Sequence, residues 1–175
     1  EAVIASIYRG FAYPAYSILP KGFPNADPER MKAREPNIYD PEAAKQLLSK
    51  AGYPGGKDFP VYELWTRDPT EQDMSLCQAL QAAWKDVLGI NVEIKAVDSA
   101  YMAEKAYATK GTVPLAYVHY GLDFYDPATF LNVFKDGSRH PSDDPVYTKM
   151  NADANAQRDP VLRLSMLADA EQQLV

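Results

Sequence analysis

The sequence has little of the chemistry that marks several common protein classes. Cys77 is the one cysteine among 175 residues, so no disulfide can form within the chain. This argues against a small disulfide-stapled domain and leaves a periplasmic location open. No run of Lys or Arg is longer than two residues and the net charge is −6, which argues against a nucleic-acid-binding surface. No apolar stretch approaches the roughly 20 residues that a membrane-spanning helix requires.

Motifs of several enzyme classes are also absent. The chain contains no GxSxG elbow, no GxGxxG and no Walker pattern. His119 and His140 lack HxH or HxxxH spacing, so no metal site and no cofactor is predicted. Cys77 lies in an apolar helical stripe and is predicted to be buried rather than nucleophilic. A carboxylate pair such as Glu63 with Asp123 keeps a glycosidase-like hydrolase as an alternative, because sequence does not reveal their separation.

The two ends of the chain look like cuts in a longer protein. The chain opens with EAVIASIYRG, without a methionine, a basic region or an apolar signal core, and it closes within a helical pattern, ADAEQQLV. We therefore expect a fragment, in which a missing signal peptide carries no information about the compartment.

What the sequence does contain is a globular composition, 46% hydrophobic and 24% charged, with a strong local pattern of aspartate followed by proline. Six of the fourteen prolines follow an aspartate. An aspartate at the N-cap accepts hydrogen bonds from free backbone N–H groups, and proline suits the next position because it needs no N–H there. Five of these pairs are predicted to begin helices, namely those at Asp40, Asp68, Asp126, Asp144 and Asp159.

The middle of the chain has a strand–helix–strand pattern, which predicts an α/β fold. The strands are FPVYELWT (59–66) and INVEIKAV (90–97). Between them, one apolar stripe ends at Gly89 and consists of Met74, Cys77, Leu80, Trp84, Val87 and Leu88. Such a βαβ unit is normally parallel, with a right-handed crossover. A third strand, VPLAYVHY, contains Pro114, which favours an edge or the first strand position.

The remaining segments are a long loop and several helices. Residues 11–39 are rich in proline, glycine and aromatics without any period, so they are predicted to form a long ordered loop, a candidate for function. Helices are predicted from Asp40 to Gly52, from residue 98 or 99 to before Gly111, and near 127–135, 144–157 and 160–175.

Two aspartates lie between the third strand and the next helix. Asp126 precedes a proline and is predicted to be an N-cap. Asp123 follows the carboxyl end of a strand, where open α/β sheets place ligand crevices, although a solvated turn carboxylate is the alternative. Twelve tyrosines suit a binding surface, with packing of the long loop as the alternative. Those in irregular segments or near strand ends are Tyr13, Tyr16, Tyr39, Tyr53, Tyr117, Tyr120 and Tyr125.

Five segments, in this order, resemble the C-terminal lobe of family 5 extracellular solute-binding proteins, the oligopeptide, dipeptide and nickel receptors of ABC importers. They are YRGFAYPAYSILPKGFP, YDPEAAKQLLSKAGYPGGKDFPVYEL, LQAAWKDVLGINVEIKAVD, HYGLDFYDPATFLNVF and RDPVLRLSMLADAEQQLV. The second is similar to the family pattern D-P-x-x-A-x-x-L-L-x-x-A-G-Y-P, and the fourth to W-x-x-D-Y-x-D-P-x-x-F-L. The resemblance covers essentially the whole chain.

The resemblance implies an α/β fold that is one lobe of a type II-like periplasmic binding protein, with a βαβ core and a mixed sheet flanked by helices. Residues 1–175 would be a single lobe of a larger two-lobed receptor whose lobes close around the ligand. Its parts would be the long loop 11–39, the βαβ core 59–97, the ligand-side strand and helix 114–135, and the C-terminal helices 144–175.

The resemblance also implies a binding site. In peptide-binding members the aspartate after the aromatic position pairs with the α-amino group of the ligand, which makes Asp123 the anchor and puts Tyr120 where tryptophan is usual. The predicted ligand-binding residues are Asp123, Tyr120, His119, Tyr117, Tyr13 and Tyr16. No arginine lies close before the motif to meet a ligand carboxylate, and Lys110 is the nearest cation.

The predicted function is therefore the non-enzymatic substrate-binding component of an ABC importer that captures peptides or peptide-like solutes. The alternatives are the same receptor fold binding an oligosaccharide, a carboxylate-dependent hydrolase, and a structural lobe whose site lies elsewhere. The expected partners are a small solute and a membrane permease, with no nucleic acid, and the expected state is a monomer. The expected location is periplasmic or extracellular, with membrane anchoring through a missing N-terminus as an option.

Overall fold

The computed structural model describes residues 2–27, 39–107, 113–140 and 142–175. They form two compact units, each with a core of its own. The sheet unit comprises Glu1–Pro14 and Tyr39–His119, and the helical unit comprises Ala15–Ile38 and Tyr120–Val175. The expectation that residues 1–175 are a single lobe stays a prediction.

The sheet unit is built on three parallel strands, β1 (Tyr62–Arg67), β2 (Val92–Val97) and β3 (Leu115–Tyr117), in the order β2-β1-β3. The α/β class and the parallel βαβ unit are confirmed. The prediction of a mixed sheet is wrong for the described residues, where both strand pairs are parallel, because each crossover returns the chain to the same end of the sheet. Pro114 precedes the edge strand β3, as predicted.

Four α-helices among the described residues accompany this sheet, together with a 3₁₀ turn (Pro54–Gly56). They are α1 (Ala2–Ser6), α2 (Pro41–Lys50), α3 (Glu71–Leu88) and α4 (Ser99–Met102), the last continuing as a π-helical turn, Ala103–Tyr107. Asp40 caps α2 by accepting from two backbone N–H groups, as predicted. The prediction for Asp68 is wrong, because Thr70 caps α3 and forms a reciprocal capping box with Asp73. No helix among the described residues is both long and apolar enough to cross a membrane.

The core of the sheet unit lies between α3 and the strands. Its buried members are Leu64, Cys77, Ile90 and Val92. Full burial of each large aliphatic side chain contributes about 1.5–3 kcal/mol, and the burial of Cys77 agrees with its predicted packing role. Gly89 ends α3 at φ 72°, where a Cβ atom would lie 2.3 Å from the carbonyl oxygen of Gly55, so this turn requires glycine.

The helical unit contains α5 (Ala128–Leu131) with a following 3₁₀ turn (Asn132–Phe134), α6 (Pro145–Ala156) and α7 (Pro160–Leu174). Asp144 and Asp159 cap α6 and α7, as the aspartate–proline pattern predicts. The core of this unit consists of Leu19, Ala128, Leu131, Ala154 and Leu167.

The long loop is held at its start by a buried carboxylate. Glu171 of α7 accepts hydrogen bonds from Ser17 Oγ at 2.6 Å and from the backbone N–H of Leu19 at 2.7 Å. Residues 11–27 form neither helix nor strand, and residues 28–38 lie outside the described residues.

Candidate functional site

The helical unit brings two predicted site residues into direct contact. The hydroxyl of Tyr120 donates a hydrogen bond of 2.6 Å to Asp123 Oδ2. This bond raises the pKa of Tyr120, with burial adding to it, so the phenol stays protonated as the donor. The side chain of Asp123 is exposed. The pair is therefore a carboxylate that is oriented by a tyrosine and open to solvent.

The turn that carries Asp123 is tied to the helix that follows it. We call residues 120–126 the site turn. The backbone N–H of Asp123 donates to the buried Thr129 Oγ1 at 2.9 Å. The carboxylate of Asp126 accepts from the N–H of Ala128 at 2.9 Å. The prediction that Asp126 is the N-cap is nevertheless wrong by one residue, because α5 begins at Ala128 and Pro127 occupies the cap position.

Asp126 has a second partner that the sequence pattern did not predict. Arg163 of α7 forms two hydrogen bonds to its carboxylate, of 2.6 and 2.9 Å. This guanidinium, together with the N–H of Ala128, holds the pKa of Asp126 below its usual value despite partial burial. The site turn is thus braced against α7 by a two-pronged ion pair.

Apolar and aromatic side chains surround Asp123 on the site turn. Leu122 is 52% exposed and Phe124 is 50% exposed. The ring of Tyr125 packs 4.9 Å from that of Phe23, and its hydroxyl donates to the carbonyl of Gly22 at 2.7 Å. The long loop therefore supports the site turn within the helical unit, while Leu122 and Phe124 remain available for contact.

The sheet unit contains a second cluster with two predicted site residues, Tyr117 and His119. His119 Nε2 lies 2.6 Å from Asp73 Oδ1 and 3.3 Å from the hydroxyl of Tyr117, which itself lies 3.0 Å from the hydroxyl of Tyr8. The backbone carbonyl of His119 accepts from Arg67 at 3.1 Å. The imidazole and the backbone carbonyl of His119 thus both have hydrogen-bond partners, just beyond the carboxyl end of β3.

The carboxylate of this cluster is buried and ionised. Burial by itself would raise the pKa of Asp73, but hydrogen bonds from His119 and Thr70 outweigh it and lower the pKa to about 2. An ionised carboxylate can only accept, so His119 Nε2 carries the proton of their bond. Burial and the neighbouring Tyr8 hydroxyl raise the pKa of Tyr117, which keeps that phenol neutral.

The contacts described above do not involve the other two predicted tyrosines. Tyr13 belongs to the sheet unit and is 84% exposed, whereas Tyr16 belongs to the helical unit and is half-buried. Lys110, the nearest cation by sequence, lies outside the described residues.

The sheet unit also has a groove of about 620 Å³ beside the start of α3. Its lining residues are Ser6, Ile7, Tyr8, Arg9, Phe11, Glu71, Gln72 and Ser75. Gln72 spans the groove by donating to the carbonyl of Ile7 at 3.0 Å.

Sequence reasoning missed Asp73 and Arg163. Asp73 had a visible signal, because Thr70 and Asp73 have the T-x-x-D spacing of a capping box. Arg163 had none in local sequence, since its partner Asp126 lies 37 residues away.

Comparison with known proteins identifies the kind of chain to which these clusters belong. Residues 1–142 match the model of a family described as bacterial extracellular solute-binding proteins, family 5 Middle. The periplasmic oligopeptide-binding protein OppA of Escherichia coli (strain K12) is 26% identical over 136 residues, which cover 76% of this chain and 24% of that protein. The oligopeptide-binding protein OppA of Bacillus subtilis (strain 168) is 24% identical over 182 aligned residues, covering 98% of this chain and 32% of that protein.

Solved structures of periplasmic peptide-binding proteins have a similar fold. The solved structure of the Escherichia coli murein tripeptide binding protein MppA superposes with a TM-score of 0.80 at 21% identity, covering 99% of this chain and 34% of that one. This likeness confirms the predicted fold class, part of a periplasmic binding protein. The matched residues span 24% and 32% of the length of these two oligopeptide-binding proteins.

Proposed function

We propose, from the premise that this chain belongs to the bacterial extracellular solute-binding proteins of family 5, that it forms part of a receptor that captures peptides or peptide-like solutes for an ABC importer. Relatives named for oligopeptides and for a murein tripeptide support a peptide as the ligand. The chain would contribute one wall of a binding cleft that closes when the ligand is bound.

The proposed anchor of the ligand is Asp123. The observation that carries this proposal is the 2.6 Å bond from Tyr120, which orients one carboxylate oxygen and leaves Oδ1 without a hydrogen bond from the described residues. An ammonium group of the ligand would complete the site by donating to Asp123. Such charge-assisted hydrogen bonds are about twice as strong as neutral ones, and they strengthen further where water is excluded.

The proposed role is binding without catalysis. A glycosidase-like pair would need a carboxylic acid that is protonated near neutral pH. Glu63, the candidate acid, instead accepts from Trp65 Nε1 at 2.7 Å and from Lys95 Nζ at 3.2 Å. These two donors lower the pKa of Glu63, which favours a structural carboxylate over a general acid.

The remaining parts of the proposal concern location and partners. The family description, extracellular solute-binding, favours a receptor that works in the periplasm or at the outer face of the membrane. A membrane permease would receive the solute, and the receptor would act as a monomer.

The proposal is tested on the complete receptor that contains this chain. Any co-purified solute is released and identified by mass spectrometry, and its binding is then measured by titration calorimetry for wild type and for Asp123→Asn. We expect a peptide or other amine, bound about a hundredfold more weakly by the variant, because one partner of a desolvated charge pair is lost. Asp169→Asn is the matched control, an exposed aspartate of the same unit.

A sugar as the co-purified solute, with Asp123→Asn binding it almost as well as wild type, would contradict the peptide proposal. That outcome would favour the tyrosines as the principal contacts, since aromatic rings offer contact area for a neutral ligand. Turnover of the bound solute would contradict the non-enzymatic role.

A further inference from the structure

A cation lies next to the tyrosine that orients the proposed anchor, on the segment that follows the 3₁₀ turn Asn132–Phe134. The guanidinium carbon of Arg139 lies 5.9 Å from the centre of the Tyr120 ring. The hydroxyl of the same tyrosine donates to Asp123. One tyrosine side chain therefore has a carboxylate at its tip and a guanidinium over its ring.

The backbone around Arg139 is held on both sides. The N–H of Ser138 donates to the carbonyl of Lys135 at 3.1 Å, and the N–H of His140 donates to the carbonyl of Val133 at 2.8 Å. The hydroxyl of Ser138 adds a bond of 2.6 Å to the same Val133 carbonyl. An arginine on an anchored turn loses less conformational freedom when it binds an anion than one on a mobile loop.

The ring between the two charges is also supported. Phe130 packs edge-on against Tyr120, with the ring centres 6.0 Å apart. The backbone of Asp123 is tied to Thr129 at the start of α5. The carboxylate, the ring and the guanidinium thus belong to one braced arrangement within the helical unit.

We propose that Arg139 recognises an anionic group next to the ammonium of the ligand, so that the receptor prefers peptides whose first residue is aspartate or glutamate. The inference rests on the proposed function, because it takes the ammonium to be bound at Asp123. Both protein charges contact the same tyrosine, and they therefore suit two opposite charges carried by one ligand residue. The chain has a net charge of −6, so an acidic side chain beside Asp123 would be repelled without a local cation.

The test uses two peptides that differ in the charge of the first side chain, Glu-Ala-Ala and Gln-Ala-Ala. Their affinities for the complete receptor are measured by titration calorimetry in low salt, for wild type, Arg139→Gln and Arg139→Lys. We expect wild type to bind Glu-Ala-Ala about tenfold more tightly, which is the effect of one charge-assisted contact. Arg139→Gln brings the ratio of the two affinities close to one, and Arg139→Lys keeps most of the preference.

Lys135→Gln is the matched control, because it removes the same charge from an exposed residue four positions away. This variant keeps the tenfold preference if recognition is local to Arg139, and loses it if the net charge of the protein is responsible. Equal binding of the two peptides by wild type, or a preference that survives Arg139→Gln, overturns the inference and leaves the proposed function standing. Binding of neither peptide by wild type contradicts the peptide-receptor proposal itself, and the inference falls with it.

Discussion

Asp73 in the sheet unit and Asp123 in the helical unit each accept a side-chain hydrogen bond of 2.6 Å, but one carboxylate is buried and the other is exposed. The side chain of Asp73 is 5% exposed and has His119 and Thr70 as partners, so its acceptor sites are used inside the protein. Asp123 accepts one such bond from the residues that the structure describes, and it faces solvent. The length of a hydrogen bond therefore does not distinguish a structural carboxylate from a binding one, whereas burial and the number of partners do.

The difference between the two carboxylates is tested most directly by removing each of them in turn. Asp73→Ala should lower the free energy of unfolding by about 3 kcal/mol, because it removes the carboxylate half of the capping box with Thr70 and leaves His119 without its carboxylate partner. Asp123→Ala should change it by less than about 0.5 kcal/mol, as expected for an exposed side chain. Urea unfolding of the two variants measures both values. Equal losses would mean that the two carboxylates have the same role.

The buried carboxylate of Asp73 should also make the stability of the fold sensitive to acid. The pKa of Asp73 falls from 3.8 to about 2 on folding. A carboxyl whose pKa is lowered in the folded state stabilises the fold above its unfolded pKa, and this contribution disappears as the pH falls through the folded pKa. We expect roughly 2 kcal/mol to be lost between about pH 4 and pH 2.

The control for the acid experiment is Asp73→Asn, which has no carboxyl to titrate at this position. Its free energy of unfolding should fall less steeply over the same pH range than that of wild type. Parallel pH profiles for the two proteins would show that other carboxyls cause the acid sensitivity.

Removing the ion pair between Arg163 and Asp126, which holds the site turn against α7, should have a smaller effect on stability. Arg163→Met should lower the free energy of unfolding by about 1–2 kcal/mol, because it leaves the partly buried Asp126 without its two guanidinium bonds. It should also weaken peptide binding by the complete receptor, since the turn that carries Asp123 is less constrained. Unchanged affinity would limit Arg163 to a stabilising role.

The features predicted well from sequence are those whose partners lie within a few residues. Asp40, Asp144 and Asp159 cap helices because an aspartate reaches N–H groups two and three residues ahead. The parallel βαβ unit follows from the alternating and helical apolar patterns on either side of Gly89. Asp68 failed as a cap because Thr70, two residues later, forms a capping box that satisfies the same helix start.

The candidate site was predictable only in part. Tyr120 and Asp123 lie three residues apart, and their contact suits the pattern that marked them. Arg139 was not predicted as part of the site, because it lies on a later turn and is brought to Tyr120 only by the fold. The binding roles of these residues stay predictions until affinities are measured.

Taken by itself, the amino-acid sequence determined the helix starts at Asp40, Asp144 and Asp159, the parallel βαβ unit, and that an acidic turn follows the last strand. Those features depend on hydrogen bonds and apolar periods that are complete within one element or its neighbour. Only the tertiary structure decided that Asp73 is buried against His119, 46 residues away, and that Arg163 braces Asp126. A pairing of distant residues depends on how whole elements pack, and no local pattern records it.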